Sequence, residues 1–249
     1  MKSPFDLSSR KALVTGSSRG IGNAIAMALG RAGAHVVFHG TSESPALSAA
    51  LKQAQAEGLM FSHVLGDIGS SAEVASLVSA CGDLDILVLN ASVQKYVTIG
   101  TFDEDEFDRT MHCNLRSCFQ LIKAFAPHMV EQKWGRIISI GSINQAKPAG
   151  RLSIYASAKA AQLNLMNTAA KEYAAQGVTV NTITPGVIVT DRNREKLRDE
   201  EFADTIMQSI PARRFGTSED CAGVAVLLAS DAAAYITGAD IPVAGGMQL

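Results

Sequence analysis

Short apolar runs alternate along this chain with longer stretches of helical period. Lys11–Thr15, Ala34–His39, Phe61–Leu65, Asp85–Asn90, Arg136–Ile140, Val178–Ile183 and Ile241–Val243 read as strands. The run DILVLN at 85–90 is continuously apolar in its middle, as in a strand buried on both faces. Between these runs the periodicity predicts helices over Gly20–Gly33, Ser44–Glu57, Ser70–Ala80, Asp103–Gln132, Ser153–Lys171, Glu195–Ser209 and Ser218–Ala229. Gly58 suits the close of the second helix, and Ser218, followed by Glu219 and Asp220, suits the cap of the last. Pro127 is expected to break or kink the long fourth helix.

Strands separated by helices imply βαβ units. The expected fold is α/β: a single Rossmann-like, doubly wound parallel sheet of about seven strands, with helices on both faces, over residues 1–249. Ligands of such sheets bind at the carboxyl ends of the strands, where strand order reverses.

Composition narrows the classes. The 249 residues are 47% hydrophobic and 18% charged, enough for one sizeable core. The net charge of −2, with no long basic run, gives no sign of a nucleic-acid or anionic membrane partner. No apolar run approaches the ~20 residues that span a bilayer. The four cysteines form no CxxC, and the five histidines no metal-ligand cluster. Reduced thiols and a polar start without a signal-peptide centre point to the cytoplasm.

Two stretches carry chemistry. Tyr155 and Lys159 stand four positions apart in the predicted helix from Ser153, so they share one face. A free phenol has a pKa of about 10, too high for efficient proton transfer near neutrality. A neighbouring ammonium favours the phenolate and lowers that value. Alone, the pair also fits a solvated helix face. The second stretch follows the first strand: Gly16, Ser18, Arg19, Gly20, Ile21 and Gly22, with the glycines spaced GxxxGxG before a helix. Glycine allows a tight turn and close approach of backbone to a pyrophosphate, and the helix N-terminus offers N–H groups to it. The end of strand two reads His39-Gly40-Thr41-Ser42, with no acid for a ribose 2′-hydroxyl until Glu43. Arg19 suits a 2′-phosphate instead, and Thr41 and Ser42 add hydroxyl donors, which favours NADP(H).

With these motifs in order, the chain resembles the short-chain dehydrogenase/reductase family from Lys11 to Leu249. The carriers are TGSSRGIG at 15–22, Asp67-Ile68, Asn90-Ala91, Asn114, Ser142, Tyr155 to Lys159, and Pro185-Gly186. The branch most similar contains 3-oxoacyl-acyl-carrier-protein reductases and sugar or polyol dehydrogenases. The resemblance implies that Tyr155 is the proton donor in carbonyl reduction and that Lys159 lowers its pKa and binds the nicotinamide ribose. It implies that Ser142 bonds the substrate oxygen and that Asn114 holds a relay water. Asp67 and Ile68 are implied for adenine, and Asn90 and Ala91 for its ribose. Pro185, Gly186 and Ile188 are implied for the carboxamide, and Thr190 for the carboxamide or the diphosphate. It further implies a homotetramer and a substrate lid over about 190–211.

The sequence departs from the pattern in two places. Ser92 stands where the family usually has glycine, so a shifted loop or an added hydrogen bond is expected. Lys133 and Gln176 occupy positions where carrier-protein reductases present two basic residues, so one charge is kept toward an acyl-carrier protein. The leading expectation is NADP(H)-dependent reduction of a 3-oxoacyl thioester, then a sugar or polyol substrate, then a non-catalytic NADP(H)-binding regulator. Arg192, Arg194, Lys196 and Arg198 in the lid suit a phosphate or carboxylate as well as a solvated mixed-charge helix.

Overall fold

A computed structural model describes residues 3–249. Seven parallel strands form one sheet in the order β3-β2-β1-β4-β5-β6-β7. They are β1 (Lys11–Val14), β2 (His35–Gly40), β3 (Phe61–Leu65), β4 (Ile86–Leu89), β5 (Gly135–Ile140), β6 (Val178–Pro185) and β7 (Asp240–Val243). β6 runs two residues past the expected Ile183 because Thr184 and Pro185 pair with Pro242 and Val243.

Side chains alternate faces along a strand, and here both faces are covered. Ala12 and Val14, Ile86 and Val88, and Ile138 and Ile140 enter one core with α1 (Gly20–Arg31), α2 (Pro45–Ala56) and α8 (Ser218–Ala229). Leu13, Leu87, Leu89 and Ile137 enter the other with α3 (Ser71–Cys81), α5 (Ser117–Glu131) and α6 (Ser153–Tyr173). This two-sided burial is why the strands appear as unbroken apolar runs.

Local signals set most helix ends. The Ser44 and Ser70 hydroxyls accept from Leu47 N and Glu73 N, capping α2 and α3. The cap of α8 is Thr217 rather than Ser218, because the Asp220 carboxylate reaches back to Thr217 N at 2.8 Å.

Two expected helices divide. The Asp103–Gln132 stretch is α4 (Glu104–Met111), a π-turn over His112–Arg116, and α5. Pro127 stays inside α5, at an exposed position, and the helix continues to Glu131. Glu195–Ser209 resolves into a 3₁₀ turn, Lys196–Arg198, followed by α7 (Glu200–Gln208) with Asp199 as its cap. No residue of α7 is buried.

Leu87 is fully buried in the middle of the sheet. Leu87→Ala is expected to cost about 2–5 kcal/mol of stability, read as a lowered denaturant midpoint.

Candidate active site

Strand order reverses between β1 and β4, which lie side by side. Their carboxyl ends are knotted together. The Thr15 hydroxyl accepts from Asn90 N at 3.0 Å and Ala91 N at 3.1 Å. The Asn90 amide donates to the carbonyls of Thr15 at 2.8 Å and Gly16 at 3.0 Å. A Cβ on Gly22 would stand 2.4 Å from Asn90 Nδ2 and 2.5 Å from Gly16 O, so the loop packs only with glycine there. Gly16 and Gly20 have φ of 64° and 60°, the left-handed region. α1 has no side-chain cap. Gly20, Ile21 and Gly22 at that start line the cavity, where the N–H groups of a helix's first turn can bind an anion.

The sequence reading missed His39, at the end of β2. Gly16 N donates to its Nδ1 at 2.9 Å, and its Nε2 lies 2.9 Å from Gly66 O. Nδ1 must therefore accept and Nε2 donate, which is the neutral tautomer. Burial pushes its pKa below the ordinary value, in the same direction. The clue was a histidine following the apolar run Val36–Phe38, just before a glycine.

One cleft of about 430 Å³ runs from this loop along the strand ends. It is lined by Gly16, Ser18, Arg19, Gly20, Ile21 and Gly22, by Thr41, and by Asp67, Ile68, Asn90 and Ala91. Further along, Ser142, Tyr155 and Lys159 meet Pro185, Gly186, Ile188 and Thr190. Two sequence-predicted residues stand apart from this lining. Ser42 is exposed beyond Thr41. Asn114 is wholly buried within the π-turn, and both ends of its amide are used on the backbone of Val93, at 2.9 and 2.8 Å. Its side chain thus holds the loop after β4.

At the adenine end expected for Asp67, both carboxylate oxygens have partners. Gly69 N donates to one at 2.8 Å, and Arg109 lies 3.1 Å from the other. Burial alone would raise this carboxyl's pKa, but those two contacts outweigh it and hold it below the ordinary value.

The proton-transfer residues come from β5 and α6. Ser142 follows β5 and accepts from Asn144 N and Nδ2, each at 3.2 Å. Gln145 bonds Ser142 N at 3.2 Å and Asp240 at 2.8 Å, fixing this turn against β7. Tyr155 and Ser142 are both about 7% exposed, at the floor of the cleft. Burial raises the Tyr155 pKa, while the hydrogen bond with Ser142 and the charge of Arg192 oppose that rise. The Lys159 Nζ is 5.9 Å from the Tyr155 ring centre and donates to Ile140 O at 2.7 Å and Gln162 Oε1 at 3.0 Å. The ammonium is thus hydrogen-bonded to Ile140 O and Gln162 rather than to the phenol, although Tyr155 and Lys159 occupy one helix face. Gln162 went unread although it stands three residues beyond Lys159 on α6; the packing of α6 on α5 then brings its amide to Cys118 as well.

The Ser92 side chain adds only a long contact with Arg192, whose main bond is to the backbone carbonyl that any residue there would offer. Arg192 donates to Ser92 O at 2.8 Å and more weakly to Ser92 Oγ at 3.4 Å. Thr190 sits over the glycine loop: a Cβ on Gly20 would meet Thr190 Cγ2 at 3.5 Å.

Glycine cradle, uncapped helix start and buried Ser-Tyr-Lys cluster at a strand-order switch define a dinucleotide-dependent oxidoreductase site. Comparison with known proteins agrees. A family profile described as enoyl-(acyl carrier protein) reductase matches residues 16–248. The 3-oxoacyl-[acyl-carrier-protein] reductase FabG of Pseudomonas aeruginosa is 38% identical over 249 residues, covering 98% of this chain and 100% of the relative. The structure of a 3-oxoacyl (acyl-carrier-protein) reductase from Agrobacterium tumefaciens C58 with NADP bound superposes with a TM-score of 0.93 at 38% identity, covering 99% of this chain and 98% of that one. A gluconate 5-dehydrogenase from Burkholderia cenocepacia, in complex with NADP and tartrate, gives 0.92 at 31% identity, covering 98% and 97%. The chain belongs to the short-chain dehydrogenase/reductase family and is an oxidoreductase acting on a CH–OH/C=O pair.

Burial holds the Lys159 pKa down at about 8, against an ordinary 10.5. Between those values the unfolded chain binds more protons than the folded one, so this group's contribution to stability rises with pH. At pH 7 the buried ammonium costs roughly 3 kcal/mol. Lys159→Met is expected to melt above the wild type at pH 7, with the gap narrowing as pH approaches 10.5. A gap constant over that range in thermal denaturation would contradict this account.

Proposed function

We propose that this protein uses NADP(H) to reduce the ketone of a 3-oxoacyl thioester to a secondary alcohol. The observation that carries the reading is the single cleft joining the glycine loop to the Ser142–Tyr155 floor. The dinucleotide fits that cleft: Gly16, Gly20 and Gly22 line it without side chains, and the start of α1 has no side-chain cap. A bound nicotinamide supplies the hydride. Arg19, exposed at the start of α1, is the group for a 2′-phosphate, with no carboxylate at Gly40 or Thr41 to repel it. Ser18, Gly20, Ile21 and Thr190 border the diphosphate, and Pro185, Gly186 and Ile188 the carboxamide. Thr41 and Ser42 assist at the 2′-phosphate. Asp67, Ile68, Asn90 and Ala91 bound the adenosine.

In this reading Ser142 donates a hydrogen bond to the carbonyl oxygen. Tyr155 delivers its hydroxyl proton as negative charge develops there. Lys159 lies one helical turn beyond. With its pKa near 8, it exchanges protons readily near neutrality, and swinging from Gln162 toward Tyr155 would favour the phenolate. Asn114 acts through the π-turn and the loop after β4. The segment 190–211 closes over the substrate. Exposed Phe107 and Phe119 on α4 and α5 suit burial in a homotetramer. Four free, buried cysteines suit the cytoplasm. Among the described residues no helix is long and apolar enough to cross a membrane.

The thioester follows from relatives 38–39% identical that act as 3-oxoacyl-[acyl-carrier-protein] reductases. Acyl-carrier protein as partner is supported by Lys133 alone. The competing reading, a sugar-acid dehydrogenase, draws on the gluconate 5-dehydrogenase likeness.

NADPH oxidation with acetoacetyl thioester is the direct test. Tyr155→Phe is expected to lower turnover by ~10²–10⁴-fold with NADPH binding retained. Arg19→Met is expected to weaken NADPH roughly tenfold and leave NADH unchanged. Undiminished turnover in Tyr155→Phe would sink the assigned chemistry, and equal loss for both cofactors the assigned preference.

A further inference from the structure

The lid segment carries charges of both signs, and the fold sorts them. Arg192 and Lys196 line the cleft that ends on Tyr155 and Ser142, while Glu195, Asp199 and Glu200 do not. Only two carboxylates line that cleft, Asp67 and Asp191. Asp67 is held by Arg109 at 3.1 Å, and Asp191 lies 4.0 Å from Arg19 and 3.7 Å from Arg194. Neither is ion-paired with Arg192 or Lys196. Arg192 is fixed by neutral acceptors only, Ser92 O, Ser92 Oγ and Gln94 Oε1. The Lys196 ammonium stands 3.2 Å from the ring centre of Tyr96, another cleft residue. Among the described residues neither cation has an acidic partner. The mouth thus presents two positioned cations that no ion pair neutralises among the described residues. Arg192 lines the same cleft as Tyr155 and Lys159.

We propose that Arg192 and Lys196 form an anion subsite at the mouth of the cleft, which takes a carboxylate or phosphate carried by the substrate. Resting on the assignment of Tyr155 as proton donor, it names the substrate as an anionic ketone. A guanidinium with its orientation already fixed on Ser92 binds a planar or tetrahedral oxyanion with little ordering cost. Lys196 adds a point charge one turn along. The anion has two sources: a carboxylate on a small sugar-acid-like substrate, or a phosphate on the arm of an acyl carrier.

The experiment compares three ketones with NADPH: acetoacetyl-N-acetylcysteamine, which is neutral, acetoacetyl-CoA, which carries phosphates, and 5-keto-D-gluconate, which carries a carboxylate. In Arg192→Met and Lys196→Met the ratio of kcat/KM for the anionic over the neutral substrate is expected to fall about tenfold. Arg192→Lys restores part of it, and added salt erodes it in the wild type. Loss confined to the keto-acid identifies a substrate carboxylate; loss confined to acetoacetyl-CoA identifies a carrier phosphate. An unchanged ratio overturns the subsite while leaving the thioester reading intact. A second readout needs no turnover: D-gluconate and inorganic phosphate are titrated calorimetrically into Tyr155→Phe protein saturated with NADP+, with and without Arg192→Met. Binding of either anion that Arg192→Met weakens upholds the subsite even if no thioester is reduced. Binding of neither, or binding insensitive to Arg192, overturns it.

Discussion

The amide of Asn90 donates to the carbonyls of Thr15 and Gly16 where strand order reverses. That contact holds β1 and β4 together at the switch point, where β1 leads to α1 on one face of the sheet and β4 to α5 on the other. Backbone groups beyond the strand ends lack ladder partners, and a buried carbonyl without a donor is costly. Asn90, Thr15 and His39 satisfy those groups with side chains, so the glycine loop keeps an open shape. The start of α1 is then left without a side-chain cap, and Gly20, Ile21 and Gly22 there line the cleft. Anion binding and the tightness of the β1–β4 knot are two aspects of one arrangement.

The other half of the site depends on burial. Tyr155 and Lys159 lie beneath the cleft surface, where the cost of charge acts on both. It raises the phenol's pKa and lowers the ammonium's, bringing two groups that differ little in solution to values further apart in direction than the spacing of the residues suggests. Gln162 and the Ile140 carbonyl hold the ammonium meanwhile. Approach of Lys159 to Tyr155 would partly discharge both costs, because each charge then has its counterpart. The π-turn at His112–Arg116 adds the third support, since it turns Asn114 inward to brace Val93.

Much of this was legible from residue order. Strands buried on both faces must be apolar at consecutive positions, so KALV, ILVL and VTVNTI declared themselves, and the intervening helices followed from their caps. The glycine loop was legible because a turn that no side chain fits leaves glycine as its trace. Tyr155 and Lys159 were legible because a four-residue spacing on a helix fixes a shared face. The π-turn was not, since Met111 to Ser117 contains no Gly or Pro and the extra residue is absorbed by tertiary packing. The early end of the lid's 3₁₀ turn at Arg198 and the shift of the α8 cap to Thr217 likewise depended on single side-chain bonds.

Sequence by itself determined the alternation of strands and helices, the doubly wound class and the residue types of the catalytic floor, because these rest on periodicity and on steric rules local to a few residues. Tertiary structure alone decided which charges face the cleft, which tautomer His39 adopts, and that the Lys159 ammonium meets the carbonyl of Ile140. Those outcomes depend on distances between residues far apart in the chain and on how much water each group has lost. Neither quantity exists until the sheet has formed and both its faces are covered.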